Sequence, residues 1–211
     1  RHPEWGDEML LAIRELLADE KRLTDEQAEA AARRIATFLD TPKVRDFLTG
    51  GEPSPLTLRA IAHARWKALP QEWMGVLGKA LANDDDKLVL AAVRTIRAVP
   101  KSDRWPEGVI NSASHVARNA DRPTAVRLAV AAVFPSVTDT DLLAVALDSL
   151  HRDTPATLRS PAIEVLTRLN LETKDATAVA AAIPTASPLC TCESGRVNKS
   201  EFTLERDFGT R

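Results

Sequence analysis

The sequence predicts an all-α protein, and three observations support that class. Of the 211 residues, 33 are Ala and 25 are Leu, and both favour helices. Aromatic residues make up only 4% and Tyr is absent, whereas β-sandwiches and barrels are rich in aromatic and β-branched residues. Apolar residues recur at the spacing of an amphipathic helix as far as about residue 183.

Start signals define the first predicted helices. The segment from Thr24 to Gln27 is a capping box, in which each side chain accepts a hydrogen bond from the other residue's backbone. The dipeptides Thr41-Pro42 and Ser54-Pro55 place an N-cap residue before a proline at the first helical position. Together with the apolar periodicity, these signals predict helices at 7–19, 25–39, 43–49 and 55–68.

Prolines and carboxylates mark the later helix starts. Three runs with helical periodicity follow a proline, namely Pro70, Pro106 and Pro123. Thr138 is the predicted N-cap of a run whose Asp side chains complement the helix dipole, and Asp84 and Asp153 lie at similar starts. These signals predict helices at 70–82, 85–98, 106–118, 123–134, 139–151, 156–169 and 173–183.

Every second helix from residue 55 onward contains the same ten-residue pattern. Four segments align without gaps, and they start at Thr57, Lys87, Ala125 and Thr157. The second column of the alignment holds Leu58, Leu88, Val126 and Leu158. The last column holds Trp66, Ile96, Phe134 and Leu166. Because large apolar residues recur in both columns, we predict that these eight side chains are buried.

The intervening helices repeat as well. Apolar pairs recur every 33 residues, at Val76-Leu77, Val109-Ile110 and Leu142-Leu143. Two interleaved helix series with one period predict helix hairpins stacked side by side over residues 42–183. We assign residues 1–41 to an N-terminal capping helix pair. Residues 184–211 show no lasting period and are predicted to form a loosely ordered tail.

The repeated units resemble the HEAT-repeat family, in its short bacterial HEAT-like form. Two features carry the resemblance. The second helix of a unit follows an Asp, as at Asp84, Asp121 and Asp153. Near its start lies Val-Arg or Leu-Arg, as at 126–127 and 158–159. The resemblance implies a right-handed α-solenoid of stacked HEAT-like helix hairpins. It also implies a structural ladder between repeats, made by Arg59, Arg127 and Arg159.

A second resemblance covers the order of the units. Trp73 and Trp105 near the starts of first helices, with the exit segment 183–189, are similar to part of large planctomycete-type membrane-bound dehydrogenase proteins. Those proteins join a propeller-like region, HEAT repeats and a C-terminal cytochrome c. Their haem motif is Cys-x-x-Cys-His, but Cys190-Thr191-Cys192 has a different spacing and no His follows. No cofactor is therefore predicted.

Motifs for catalysis or metal binding are not found in the sequence. The run 84–86 is acidic but lacks the alternating ligands, the Gly and the distal Glu of an EF-hand. The four histidines, His2, His63, His115 and His151, are not at zinc-binding spacing. No Gly-rich phosphate loop or Gly-x-Ser-x-Gly elbow occurs. We predict no catalytic residue and no metal site, and we expect the chain not to be an enzyme.

A binding or spacer function is the leading hypothesis. Stacked hairpins place one helix series on a concave surface, and exposed arginines of the second helices are the candidate binding residues: Arg65, Arg94, Arg97 and Arg168. The expected partner is another protein or a flanking domain of the same polypeptide. The chain starts with Arg rather than Met, so we expect a fragment of a larger multidomain protein. No apolar run is long enough for a membrane span, and the compartment stays open between cytoplasm and periplasm.

Two enzymatic alternatives stay open. One is a HEAT-like DNA glycosylase acting on alkylated purines, with Trp and Asp on the concave helices holding an extruded base. Against it stand the net charge of −2 and the pI near 6.1, since DNA binding needs a basic track. The other is a phycobilin-lyase-like activity, which depends on fold analogy alone. A mixed concave surface would favour protein contact, whereas a continuous positive groove with exposed Trp would favour DNA.

Overall fold

The computed structural model describes residues 5–100, 104–151 and 153–168, with side chains from residue 7 onward. Within these ranges all elements are helices, which confirms the all-α class. Two are short 3₁₀ turns, at Glu20–Arg22 and Pro135–Val137. The α-helices are α1 (Trp5–Ala18), α2 (Asp25–Ala36), α3 (Pro42–Gly50), α4 (Pro55–His63), α5 (Gln71–Leu81), α6 (Asp86–Ala98), α7 (Glu107–Arg118), α8 (Thr124–Val133), α9 (Thr140–Asp148) and α10 (Ala156–Arg168).

Side-chain caps satisfy backbone groups at several helix starts. The Thr24 hydroxyl accepts from the Gln27 N–H at 3.3 Å, and the Gln27 side chain accepts from the Thr24 N–H at 2.9 Å, so the predicted capping box is present. Ser54 caps α4 by accepting from the Thr57 N–H at 3.1 Å. The prediction of Thr138 as a cap is wrong by one residue. Asp139 caps α9 instead, because its carboxylate accepts from the Leu142 N–H.

Helix α4 ends five residues earlier than predicted, at His63. Ala64, which follows it, has an extended backbone. The chain then turns so that the Trp66 indole N–H donates to the Ile61 carbonyl at 2.8 Å. The Ile61 carbonyl also accepts from the Ala64 N–H at 3.3 Å, so this last-turn carbonyl has two donors beyond the end of the helix. The Trp66 ring then lies against Trp73, with the ring centroids 6.2 Å apart.

Most helices pack against the helix two positions later along the chain. The even-numbered helices form one series of contacts, in which α2 packs on α4, α4 on α6, α6 on α8, and α8 on α10. Among the odd-numbered helices, α1 packs on α3, α3 on α5, and α5 on α7. Contacts between α5 and α6, between α7 and α8, and between α9 and α10 join the two series. One hydrophobic core therefore extends from Ile13 in α1 to Leu166 in α10.

Six of the eight side chains in the repeated columns are buried as predicted: Leu58, Leu88, Val126, Ile96, Phe134 and Leu166. Leu158 and Trp66 are only half-buried, so the prediction is wrong for both. Leu158 lines a surface cleft with Val145 and Pro155. Trp66 lies beyond the end of α4 and lines a surface cleft rather than a seam between helices.

Helix α8 is apolar almost all round and lies between α6 and α10. Its buried residues occupy every side of the helix, as expected for a helix enclosed by neighbours: Val126, Leu128, Ala129, Val130, Ala131 and Ala132. Across this helix, Arg97 of α6 reaches Glu164 of α10 with 2.5 Å between Nη2 and Oε2. Arg168 binds the other oxygen of the same carboxylate at 2.7 Å.

Several predictions fall on residues outside the described ranges. They concern the helix at 173–183, the tail at 184–211 with its two cysteines, and His2 near the N-terminus. Among the described helices, none combines the length and the apolar character needed to cross a membrane.

We predict that Phe134→Ala lowers the free energy of unfolding by about 3–5 kcal/mol, because truncating an enclosed aromatic ring leaves a cavity. Phe134 is 2% exposed and meets Trp105 edge to face, with ring centroids 5.6 Å apart. Urea denaturation measures the change. Leu11→Ala is the matched control, since Leu11 is 59% exposed and its loss should change stability by less than about 0.5 kcal/mol. A loss below about 1 kcal/mol for Phe134→Ala would contradict its enclosed position.

Substitutions at two glycines of α5 test how closely α5 and α7 are packed. Gly75→Ala should stabilise the protein by about 1 kcal/mol, because the added methyl meets nothing within 4 Å and Ala is the better helix former. A methyl on Gly78 would lie 3.2 Å from Cγ2 of Val109 in α7, so Gly78→Ala should gain clearly less. Thermal and urea unfolding compare the variants. Equal gains would mean that α5 and α7 are farther apart than described.

Candidate functional site

The four predicted binding arginines do not form one cluster. Arg94 is exposed on α6 and lines a groove above α4. Arg65 is exposed and lines a neighbouring cleft beyond the end of α4. Arg97 and Arg168 both bind Glu164, so their guanidinium groups already hold a carboxylate of the same chain. Arg94 and Arg65 are therefore the two that remain candidates for contact with a ligand.

The groove that contains Arg94 lies between α2 and α6, with α4 as its floor; we call it the α4 groove. Its volume is about 450 Å³. The residues that line it are Glu29, Pro55, Arg59, Ala62, His63, Lys87, Leu90, Ala91, Arg94 and Thr95. The floor runs along the whole of α4, from Pro55 to His63, and carries the small side chain of Ala62.

One wall of the α4 groove belongs to α6. Lys87, Leu90, Ala91 and Arg94 are spaced by three, one and three residues, which places them on one face of that helix. The buried Thr95 hydroxyl lies 3.0 Å from the carbonyl oxygens of both Leu58 in α4 and Ala91 in α6. A hydrogen bond from this hydroxyl to Leu58 ties α6 to α4 directly beneath the groove.

The opposite wall is joined to α4 by charged contacts. Arg59 of α4 binds Asp25 at the start of α2, with 2.9 Å between Nη2 and Oδ1. Nε2 of His63 lies 2.7 Å from a Glu29 oxygen, and this contact is an ion pair when the imidazole is protonated. Arg33 binds the same Glu29 oxygen at 3.1 Å. These pairs are partly exposed, so each contributes little to stability, but together they orient the charges along the α2 side.

The charges of the α4 groove are unevenly matched. Arg59 and His63 face carboxylates of α2, whereas the side chains of Lys87 and Arg94 make no ion pair or hydrogen bond with any residue that the structure describes. Among the lining residues, Arg59, Lys87 and Arg94 are cationic and Glu29 is the one carboxylate. The α6 side of the groove therefore offers two cations that have no partner within the described chain.

The cleft next to the α4 groove brings together other residue types singled out in the sequence. Trp66, Asp40, Arg65 and Arg33 line it, and His63 lines both this cleft and the α4 groove. The indole N–H of Trp66 is already bonded to the Ile61 carbonyl. The half-buried ring therefore has its polar edge satisfied by the protein itself.

The three arginines of the predicted ladder have different surroundings. Arg59 binds Asp25, which belongs to the preceding helix pair. Nε of Arg127 donates to the Ala117 carbonyl at 3.0 Å, at the end of the helix that precedes its own. Nε of Arg159 is buried and has no hydrogen-bond partner among the described residues. At this repeat position, arginine therefore makes an ion pair in one repeat and a hydrogen bond to a backbone carbonyl in another.

Sequence reasoning missed Arg122, whose side chain is only 9% exposed. Its Nη1 lies 2.9 Å from Asp86, and its Nη2 donates to the Asn83 carbonyl at 2.8 Å. Asp84 lies 3.5 Å away. Arg122 thereby ties the segment before α8 to the start of α6. The signal was the acidic run 84–86, which needs a cation, but the sequence does not say which arginine supplies it.

In the described part of the chain, no group of three or more His, Cys, Asp or Glu residues is arranged to hold a metal ion. No protein-family model, no curated protein and no solved structure matches the sequence.

We predict that Arg122→Ala lowers the free energy of unfolding by about 2 kcal/mol, because Asp86 and the Asn83 carbonyl lose a buried partner. Arg118→Ala is the matched control: its pair with Asp139 is 60% exposed on the Arg side and should contribute less than about 1 kcal/mol. Urea denaturation measures the change in the free energy of unfolding for both variants. Equal small losses would show that the Arg122 contacts are as weak as surface pairs.

Proposed function

We propose that residues 42–183 form a right-handed α-solenoid of stacked HEAT-like hairpins, with residues 1–41 as a capping helix pair. The pattern of helix contacts supports this architecture. The odd-numbered helices from α1 to α7 pack in one series, and the even-numbered helices from α2 to α10 pack in another. Contacts at the N-terminal end also support it. The Leu56 N–H at the start of α4 donates to Glu20, and Lys43 of α3 binds Asp7 of α1 at 2.8 Å.

We propose that this chain is a non-catalytic protein-interaction or spacer module of a larger multidomain protein. The α4 groove is the observation that carries the proposal. It is an open groove on the even-numbered helices, it combines apolar and charged residues, and Lys87 and Arg94 are left without partners among the described residues. A mixed surface of this kind suits contact with another protein, because apolar area supplies affinity and charges supply specificity.

The alternative of DNA base excision has one observation in its favour. Trp66 and Asp40 line one cleft together with Arg33 and Arg65, which are the residue types that such an enzyme needs around an extruded base. Two features weigh against it. The Trp66 ring is half-buried and its N–H is engaged, and carboxylates of Asp25 and Glu29 interrupt the positive surface beside it. Protein contact is therefore the better supported function.

Site-specific photo-crosslinking tests the proposed function. Benzoylphenylalanine at Leu90, in the groove, leaves Lys87 and Arg94 in place and should capture a specific protein from extracts of the source organism, identified by mass spectrometry and displaced by excess unmodified protein. The same group at Gly75, exposed on α5, is the control and should capture nothing in common with it. Identical patterns from both positions would contradict a binding surface on the even-numbered helices.

Incubation with duplex DNA that carries a methylated purine tests the alternative function of DNA base excision. Release of the free base by the wild-type protein, and its loss in Asp40→Asn, would overturn the non-catalytic proposal. Base release that persists in Asp40→Asn would exclude Asp40 as the residue that carries the reaction.

A further inference from the structure

We propose that the α4 groove binds an acidic segment of the partner protein, in polyproline II conformation, with carboxylates on either side of an apolar side chain. This inference depends on the proposed function as a protein-interaction module. It adds the chemistry of the bound segment and the residues that recognise it.

The unmatched cations of α6 define the charge pattern of the ligand. Lys87 and Arg94 lie seven residues apart on one face of the helix, which separates them by about 10 Å along its axis. In a peptide in polyproline II conformation, which has three residues per turn and rises about 3.1 Å per residue, side chains three residues apart lie on the same side and about 9 Å apart. Carboxylates at every third position can therefore meet both cations at once, and the Arg guanidinium can bind its carboxylate with two parallel hydrogen bonds.

The apolar lining between the two cations defines the rest of the ligand. Leu90 and Ala91 lie on the α6 wall between Lys87 and Arg94, and both are only half-buried. Ala62 forms the floor opposite them and is half-buried as well. An apolar side chain placed between the bound carboxylates removes this surface from water, which adds affinity that charge alone does not supply at a solvated surface.

The same groove disfavours a nucleic-acid backbone. Glu29 presents a carboxylate inside the groove, and Asp25 presents another at its edge, where successive phosphates would have to pass. Nucleic-acid binding draws its affinity from many cation–phosphate contacts, whereas two unpaired cations are available here. An acidic peptide needs only two such contacts, and both lie on the α6 wall, opposite the α2 carboxylates, which are themselves paired with Arg59 and His63.

Fluorescence anisotropy with a defined probe tests the inference. The probe is a fluorescein-labelled peptide in which Glu recurs at every third position with Leu between. We expect saturable binding at low ionic strength, weakened at physiological ionic strength. The Lys87→Glu/Arg94→Glu protein should bind roughly tenfold more weakly or worse, because reversing both charges turns attraction into repulsion. A peptide with Lys in place of Glu should not bind, and one with Ser in place of Leu should bind more weakly.

The matched control is Lys21→Glu/Arg34→Glu, which changes the net charge equally at exposed residues outside the groove. It should keep wild-type affinity, and circular dichroism and melting temperature show that both double variants are folded. Three results would overturn the inference: no saturable binding of the acidic peptide, equal losses in the two double variants, or tighter binding of a fluorescein-labelled single-stranded oligonucleotide of matched charge. Should crosslinking from Leu90 still capture a partner protein, the proposed function stands and only the acidic specificity fails.

Discussion

Close packing between alternate helices is the constraint on which the rest of this structure depends. The helices are short, with nine to fourteen residues, so they would be marginal in isolation and need tertiary contacts. Small residues such as Gly78 and Ala92 let alternate helices approach, while side chains such as Phe134 fill the spaces left between them. The position of every surface group, including Lys87 and Arg94, follows from that packing because α6 is held on both sides.

The α4 groove has a floor of small residues and walls that are tied to it. Helix α4 spans nine residues and carries Ala62 on the side that faces the groove. The Thr95 hydroxyl bonds the Leu58 carbonyl, which holds α6 against α4 beneath the groove. On the other side, Arg59 of α4 binds Asp25 of α2. Both walls of the surface that we assign to ligand binding are therefore bonded to the helix that forms its floor.

The helices themselves could be predicted because their signals are local. The capping box at Thr24 and the Ser54-Pro55 start depend on residues within one turn, and both are present. What could not be predicted depends on distant partners. Arg122 meets an acidic run some 36 residues earlier, and Arg97 meets Glu164, 67 residues later. From the sequence, Arg97 and Arg168 were candidate binding residues on the same footing as Arg94. In the structure they differ from Arg94, because both of them bind the carboxylate of Glu164.

The contact of Arg97 and Arg168 with Glu164 has a consequence for the response to salt. Most contacts join helices that are close neighbours along the chain, whereas Glu164 links α6 to α10, the helices on either side of α8. Both arginine side chains are partly in solvent, so dissolved ions screen this link. Raising the ionic strength therefore weakens the electrostatic contact between α6 and α10, while the apolar contacts of α8 between them carry no charge for the ions to screen.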